Sequence, residues 1–116
     1  MSQKTCKLVI LVSGSGSNLQ SFIDAAATKA LDAEVAAVVC NRPGAYGLIR
    51  AANAGIATEL VDHTDYENRE SFDAELISRI DSYQPDLVIL AGFMRILTPG
   101  FVNHYLGRLL NIHPSL

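Results

Sequence analysis

Long apolar runs are missing from this chain. None approaches the ~20 residues that a helix needs to cross a bilayer, which excludes a membrane-spanning helix and a membrane partner of that kind. Cysteine is scarce: Cys6 and Cys40 are the only two in 116 residues. Their spacing suits neither a disulfide framework nor a metal site, so both read as reduced, core-facing thiols of a cytoplasmic protein, with no metal expected. Positive charge is in deficit, with 9 Lys and Arg against 12 Asp and Glu and a net charge of -3. That balance argues against nucleic acid as a partner, and any anionic ligand must be attracted by local donors. Repeats, linkers and low-complexity tracts are lacking, and no signal-type cleavage site follows Met1 to Lys7. What is present is a globular composition, 49% hydrophobic and 18% charged, at a length suited to one domain.

Strand and helix patterns alternate from end to end. Leu8 to Val12, Val35 to Cys40, Ile56 to Val61, Leu87 to Ala91 and Leu109 to Ile112 are apolar runs of strand length. Leu19, Phe22, Ile23, Ala26, Ala27 and Ala30 mark one helical face between them. Leu48, Ala51 and Ala52 mark a second, and Phe72, Leu76, Ile77 and Ile80 a third. Gly55 stands where a left-handed cap would end the second helix, and Pro85 stops the third. The pattern predicts a doubly wound, mostly parallel α/β sheet with helices on both faces. Its strand order is expected to be 3-2-1-4, with the fifth strand beside the fourth, because the first and fourth strands are the most apolar. The third, which carries Thr58 and Glu59, belongs nearer an edge. In such sheets ligands bind beyond the carboxyl ends of the strands.

The unusual clusters fall at those ends. Ser13-Gly14-Ser15-Gly16-Ser17-Asn18 joins the first strand to the first helix. Two glycines allow close backbone approach, and a helix N-terminus supplies free N–H groups and partial positive charge, which suits a phosphate monoester. The plain alternative is a tight turn capped by Ser or Asn. A dinucleotide is disfavoured, because Leu19 occupies the third glycine position of G-x-G-x-x-G and no acidic residue ends the second strand. Arg42 there would at most suit a 2′-phosphate, and the Gly-Lys-Ser/Thr ending of a P-loop is absent.

Gly92-Phe93-Met94-Arg95-Ile96-Leu97 follows the fourth strand. It reads equally as the lining of a pocket for a flat, partly apolar ligand and as a loop packed under the next helix. Arg69 reads as a solvated helix-face charge, and His63 and His104 as surface residues with no partnered carboxylate motif. The chain closes on Asn111-Ile112-His113-Pro114-Ser115-Leu116. Residues 108–113 read as a short buried strand, on which Asn111 and His113 would project to the same side. An amide donor beside an imidazole is equipment for holding an oxyanion and moving a proton, although a histidine at a strand end is as readily structural. The abrupt end after this pair suggests a fragment of a longer enzyme.

Gly14 to Leu19, Ala91 to Leu97 and Asn111 to Leu116, taken together and in order, resemble the phosphoribosylglycinamide formyltransferase family of purine biosynthesis. Asn-x-His-Pro-Ser-Leu alone is shared with other folate-dependent formyltransferases, such as the methionyl-tRNA enzyme. The Gly-Ser-Gly-Ser-Asn loop narrows the resemblance, which spans the whole chain. It implies a formyltransferase, Rossmann-like fold truncated after strand five, with 1–116 as the N-terminal, ribonucleotide-phosphate-binding part of the domain. It implies formyl transfer from 10-formyltetrahydrofolate, as co-substrate, to the amine of glycinamide ribonucleotide. By the same resemblance Gly16, Ser17 and Asn18 bind the substrate phosphate. Arg69, Met94, Arg95, Ile96 and Leu97 serve the folate. Asn111 holds the formyl oxygen, and His113 donates a proton and stabilises the tetrahedral intermediate.

The family also places a catalytic aspartate and further strands well beyond residue 116. The fragment alone is therefore expected to be inactive, with an open edge at the last strand. A homodimer and a complementing C-terminal fragment remain as partner arrangements. The alternatives are a stand-alone phosphate- or nucleotide-binding module and half of another folate-dependent formyltransferase.

Overall fold

The computed structural model describes residues 5–112. Along it follow β1 (Cys6–Val12), α1 (Ser17–Ala27), β2 (Ala33–Cys40), α2 (Tyr46–Asn53) and β3 (Ala57–Leu60). A 3₁₀ turn (His63–Asp65), α3 (Arg69–Asp81), β4 (Leu87–Ala91), α4 (Pro99–His104) and β5 (Leu109–Ile112) complete the series. Every neighbouring strand pair is parallel, in the order β3-β2-β1-β4-β5. This is the expected order, and β3 forms one edge.

β1 shows why the sheet must be covered twice. Side chains alternate along a strand, so successive residues belong to opposite cores. Val9 and Leu11 join Phe72, Leu76 and Ile80 of α3 and Phe101 of α4 in one buried cluster. Leu8, Ile10 and Val12 join Leu19 and Ile23 of α1 and Ala51 of α2 in the other. A central strand flanked by helices on both faces is apolar wherever both faces are covered, here Leu8 to Val12, the run seen in the sequence.

Local signals explain most helix ends. Asn68 caps α3, its side chain accepting the Ser71 N–H at 2.8 Å. Gly55, at φ 73°, turns the chain out of α2. α1 stops at Ala27, so Ala30, expected on its apolar face, lies outside the helix and is exposed. Ala52 is exposed as well. Alanine favours helix wherever it lies and is therefore a poor marker of the buried face.

The next helix after segment 92–97, to which the sequence pattern assigns no residues, is α4, only six residues long. Its start is marked by Thr98, whose hydroxyl accepts the Phe101 N–H at 3.2 Å, and by Pro99 in the first turn. β5 is not a buried strand. Among the described residues it pairs with β4 alone, and Leu110 is 47% exposed. The other edge is pinned to α3 through Glu59, which accepts from Arg79 at 2.7 Å and from the Tyr83 hydroxyl. The Tyr83 bond, reinforced by Arg79, holds the Glu59 carboxyl below its ordinary range. No helix among the described residues is long and apolar enough to cross a membrane.

Candidate functional site

Parallel packing brings the carboxyl ends of β1, β2 and β4 side by side, and the loops that leave them enclose a cavity of about 250 Å³. Its wall is the Ser13 to Asn18 loop, with Arg42, Ala91, Gly92 and Met94 opposite. A pocket of about 280 Å³ opens elsewhere, lined by Ile23, Ala33, Val35 and Ile56 near the amino ends of the strands, away from every motif.

Gly16 is the N-cap of α1, in the left-handed conformation at φ 76° and ψ 30°. Its carbonyl accepts the first helical N–H, from Gln20, at 2.9 Å. No side chain caps this helix, so the plain reading of a Ser or Asn cap does not hold. An uncapped first turn keeps its N–H groups available for an anion. Of the residues lining the cavity, Arg42 alone carries a formal charge.

α2 holds the loop from behind. Gly47 N–H donates to Gly14 O at 3.0 Å, and Arg50 Nε donates to Ser15 O at 2.7 Å. Arg50 also reaches Gln20 Oε1 at 3.1 Å, and its guanidinium lies 4.7 Å from the centre of the Tyr46 ring. The loop and α2 approach so closely that a Cβ on Gly16 would lie 2.9 Å from Gly47 Cα. Gly47 and Arg50 were not singled out from sequence. The small residue Gly47, opening a helix where larger residues would serve, was the available signal.

Segment 92–97 divides between its two readings residue by residue. Gly92, at φ 75°, turns the chain out of β4. Phe93 and Leu97 pack onto the core shared with α3 and α4. Met94 and Ile96 are 70% and 68% exposed, and Met94 lines the cavity. Arg95 turns inward, its guanidinium 5.3 Å from the centre of the Phe72 ring. Arg69 opens α3, is exposed, and does not line this cavity. Asn111 is exposed on β5 in register with Leu90, so it stands beside the strand end that leads into Gly92. His113 lies outside the described residues.

The other histidines do have partners. His104 Nε2 lies 2.8 Å from Asp81 Oδ2, a carboxylate partner that spacing did not reveal because it comes from another helix. His63 Nδ1 lies 3.1 Å from Asn41 O. Burial pushes the Cys40 thiol up against the lowering effect of backbone hydrogen bonds from its neighbours. Among the described residues no group of three or more His, Cys, Asp or Glu side chains is placed to hold a metal.

The family model described as formyl transferase matches residues 6–116. Phosphoribosylglycinamide formyltransferase of Escherichia coli is 57% identical over 109 residues, which cover 94% of this chain and 51% of that protein. The trifunctional purine biosynthetic protein adenosine-3 of Drosophila melanogaster is 47% identical over 118 residues, all of this chain and 9% of that one. Among solved structures, phosphoribosylglycinamide formyltransferase of Coxiella burnetii superposes with a TM-score of 0.91 at 48% identity. That match covers 97% of this chain and 53% of the other. The chain thus spans about half the length of its single-function bacterial relatives.

Proposed function

The chain belongs to the formyl transferase family, and on that premise we propose that it is the ribonucleotide-binding part of a glycinamide ribonucleotide formyltransferase. In this reading the whole protein moves a formyl group from 10-formyltetrahydrofolate to the glycinamide amine, a cytoplasmic step of purine (IMP) synthesis. The relatives named above support the activity, and the uncapped left-handed start of α1 carries the assignment of this half.

The phosphate binds at Gly16, Ser17 and Asn18, where N–H groups with no side-chain cap meet the positive end of the helix dipole. The folate lies along Met94 to Leu97, with Arg69 as a further contact. Attack of an amine on the formyl carbon develops negative charge on oxygen and positive charge on nitrogen. Asn111 donates to that oxygen. The attacking amine gives up a proton, and His113 protonates the folate nitrogen as its bond to the formyl carbon breaks, which releases tetrahydrofolate. The aspartate implied by the resemblance would favour the charged form of this histidine.

The test is a titration of the chain with ribose 5-phosphate, read at the amides of Gly16 to Asn18. A formyl-transfer assay accompanies it, with and without the C-terminal portion of the Escherichia coli relative. Saturable shifts confined to the loop, and transfer that appears only on complementation, are expected. Phosphate binding with no folate-dependent transfer in any combination would instead favour a stand-alone binding module.

A further inference from the structure

Two polar side chains are buried at the carboxyl ends of β1 and β2, and the proposed chemistry uses neither. Ser13 is 1% exposed and Asn41 0%. Buried polar groups persist where their hydrogen bonds are satisfied, so their partners show what they hold. The Ser13 hydroxyl donates to Asn41 Oδ1 at 2.6 Å and accepts the Met94 N–H at 2.7 Å. A hydroxyl has a single proton, and with that proton committed to Asn41 its lone pairs face Met94. The Ser13 N–H donates to Gly92 O at 3.3 Å. One residue therefore grips the segment after β4 at two points, and it adjoins Gly14 of the phosphate loop. Asn41 is anchored in turn, its carbonyl taking the contact from His63 Nδ1 at 3.1 Å.

We propose that Ser13, oriented by Asn41, is a positioning residue that sets the Met94 to Leu97 backbone against the phosphate loop and so sets the spacing between the two bound substrates. This rests on the functional reading above. Group transfer between two bound molecules is acutely sensitive to that spacing: a misplacement of about 1 Å can cost on the order of a hundredfold in rate. The hydroxyl holds only the Met94 segment against the end of β2, so losing it should disturb the folate side selectively. The phosphate loop keeps its own support from Gly47 and Arg50.

The test compares the native chain with Ser13→Ala, following ribose 5-phosphate at the Gly16 to Asn18 amides and 10-formyltetrahydrofolate at the Met94 to Leu97 amides. Exchange of the Met94 amide is measured without ligand. Ser13→Ala should keep phosphate affinity within about twofold, weaken folate binding about tenfold, and speed Met94 exchange by a similar factor. Asn41→Leu, which removes the acceptor for the Ser13 proton, should reproduce Ser13→Ala. If Ser13→Ala does not fold, Ser13→Cys, with its weaker acceptor, carries the same comparison. Unchanged folate affinity in a folded variant, or equal loss of both ligands, overturns the proposal. Should the native chain bind neither ligand, the functional reading fails. The grip on Met94 is then judged by amide exchange alone, and an unchanged rate overturns that too.

Discussion

A single methyl group at Gly16 should do more damage than at other glycines of comparable exposure to strain, and the structure separates the reasons. Gly16 sits at φ 76°, and an added Cβ would lie 2.9 Å from the Gly47 Cα, 3.4 Å from Arg50 Cδ and 3.4 Å from Leu19 Cδ2. The left-handed conformation costs a non-glycine residue about 1–2 kcal/mol. Overlap with a backbone atom that has no rotamer to escape into adds about 1–3 kcal/mol, by analogy with overpacked cores. Gly16→Ala should therefore lose about 2–5 kcal/mol, a large share of the about 5–15 kcal/mol that holds a typical domain together.

Two other glycines divide the effect. Gly44 has φ +73° with nothing within 4 Å of its added Cβ, so Gly44→Ala carries the conformational cost alone. Gly14 has neither a positive φ nor a neighbour within 4 Å, so Gly14→Ala should stay within about 0.5 kcal/mol of native. Urea unfolding followed by far-UV circular dichroism ranks the three, provided the m-values agree. If Gly16→Ala loses no more than Gly44→Ala, the contact with Gly47 carries no weight. If it behaves like Gly14→Ala, the backbone argument falls as well. Under the proposed function a bulky residue at position 16 should also weaken ribonucleotide binding and spare folate. The structure adds a stability loss transmitted through α2, so binding must be compared in the folded fraction.

Glu59, held below its ordinary range by Tyr83 and Arg79, should contribute stability that is fully present above the usual glutamate value of about 4.3 and lost as pH falls through its lowered folded value. Glu59→Gln should flatten that acid limb in unfolding measured across pH, and an unchanged limb would refute the linkage. The same bond pushes the Tyr83 phenol up, so its contribution holds below the usual tyrosine value of about 10 and fades as pH rises through the raised one. Burial pushes both thiols up, but Cys40 is 0% exposed and Cys6 only half-buried. A thiol reagent at neutral pH should modify Cys6 first and Cys40 only on unfolding, and equal rates would contradict the packing.

The strand and helix order was legible because the central strands and the longer helices bury apolar faces, and burial leaves a period in the chain. β4 and β5 coincide with the runs read from sequence, and the order β3-β2-β1-β4-β5 follows from chirality and from which strands are most apolar. The position of the glycine-serine loop was legible for the same reason: a helix pattern that starts just after a buried strand leaves the loop nowhere else to be. Alanine-rich stretches misled, since Ala27 and Ala52 report helix propensity rather than burial and Ala30 lies beyond the helix end.

Only the tertiary structure decided what supports that loop. Gly47 and Arg50 reach it from another helix, and Ser13 meets Asn41 and Met94 across 28 and 81 residues of chain. Such contacts depend on strand register, where a shift of one residue turns a side chain to the opposite face, and no local period encodes them. The division of Phe93 to Leu97 into core and surface was decided there too. One turn at Gly92 and one packed ring at Phe72 settle which side chains point inward, and composition alone carries neither.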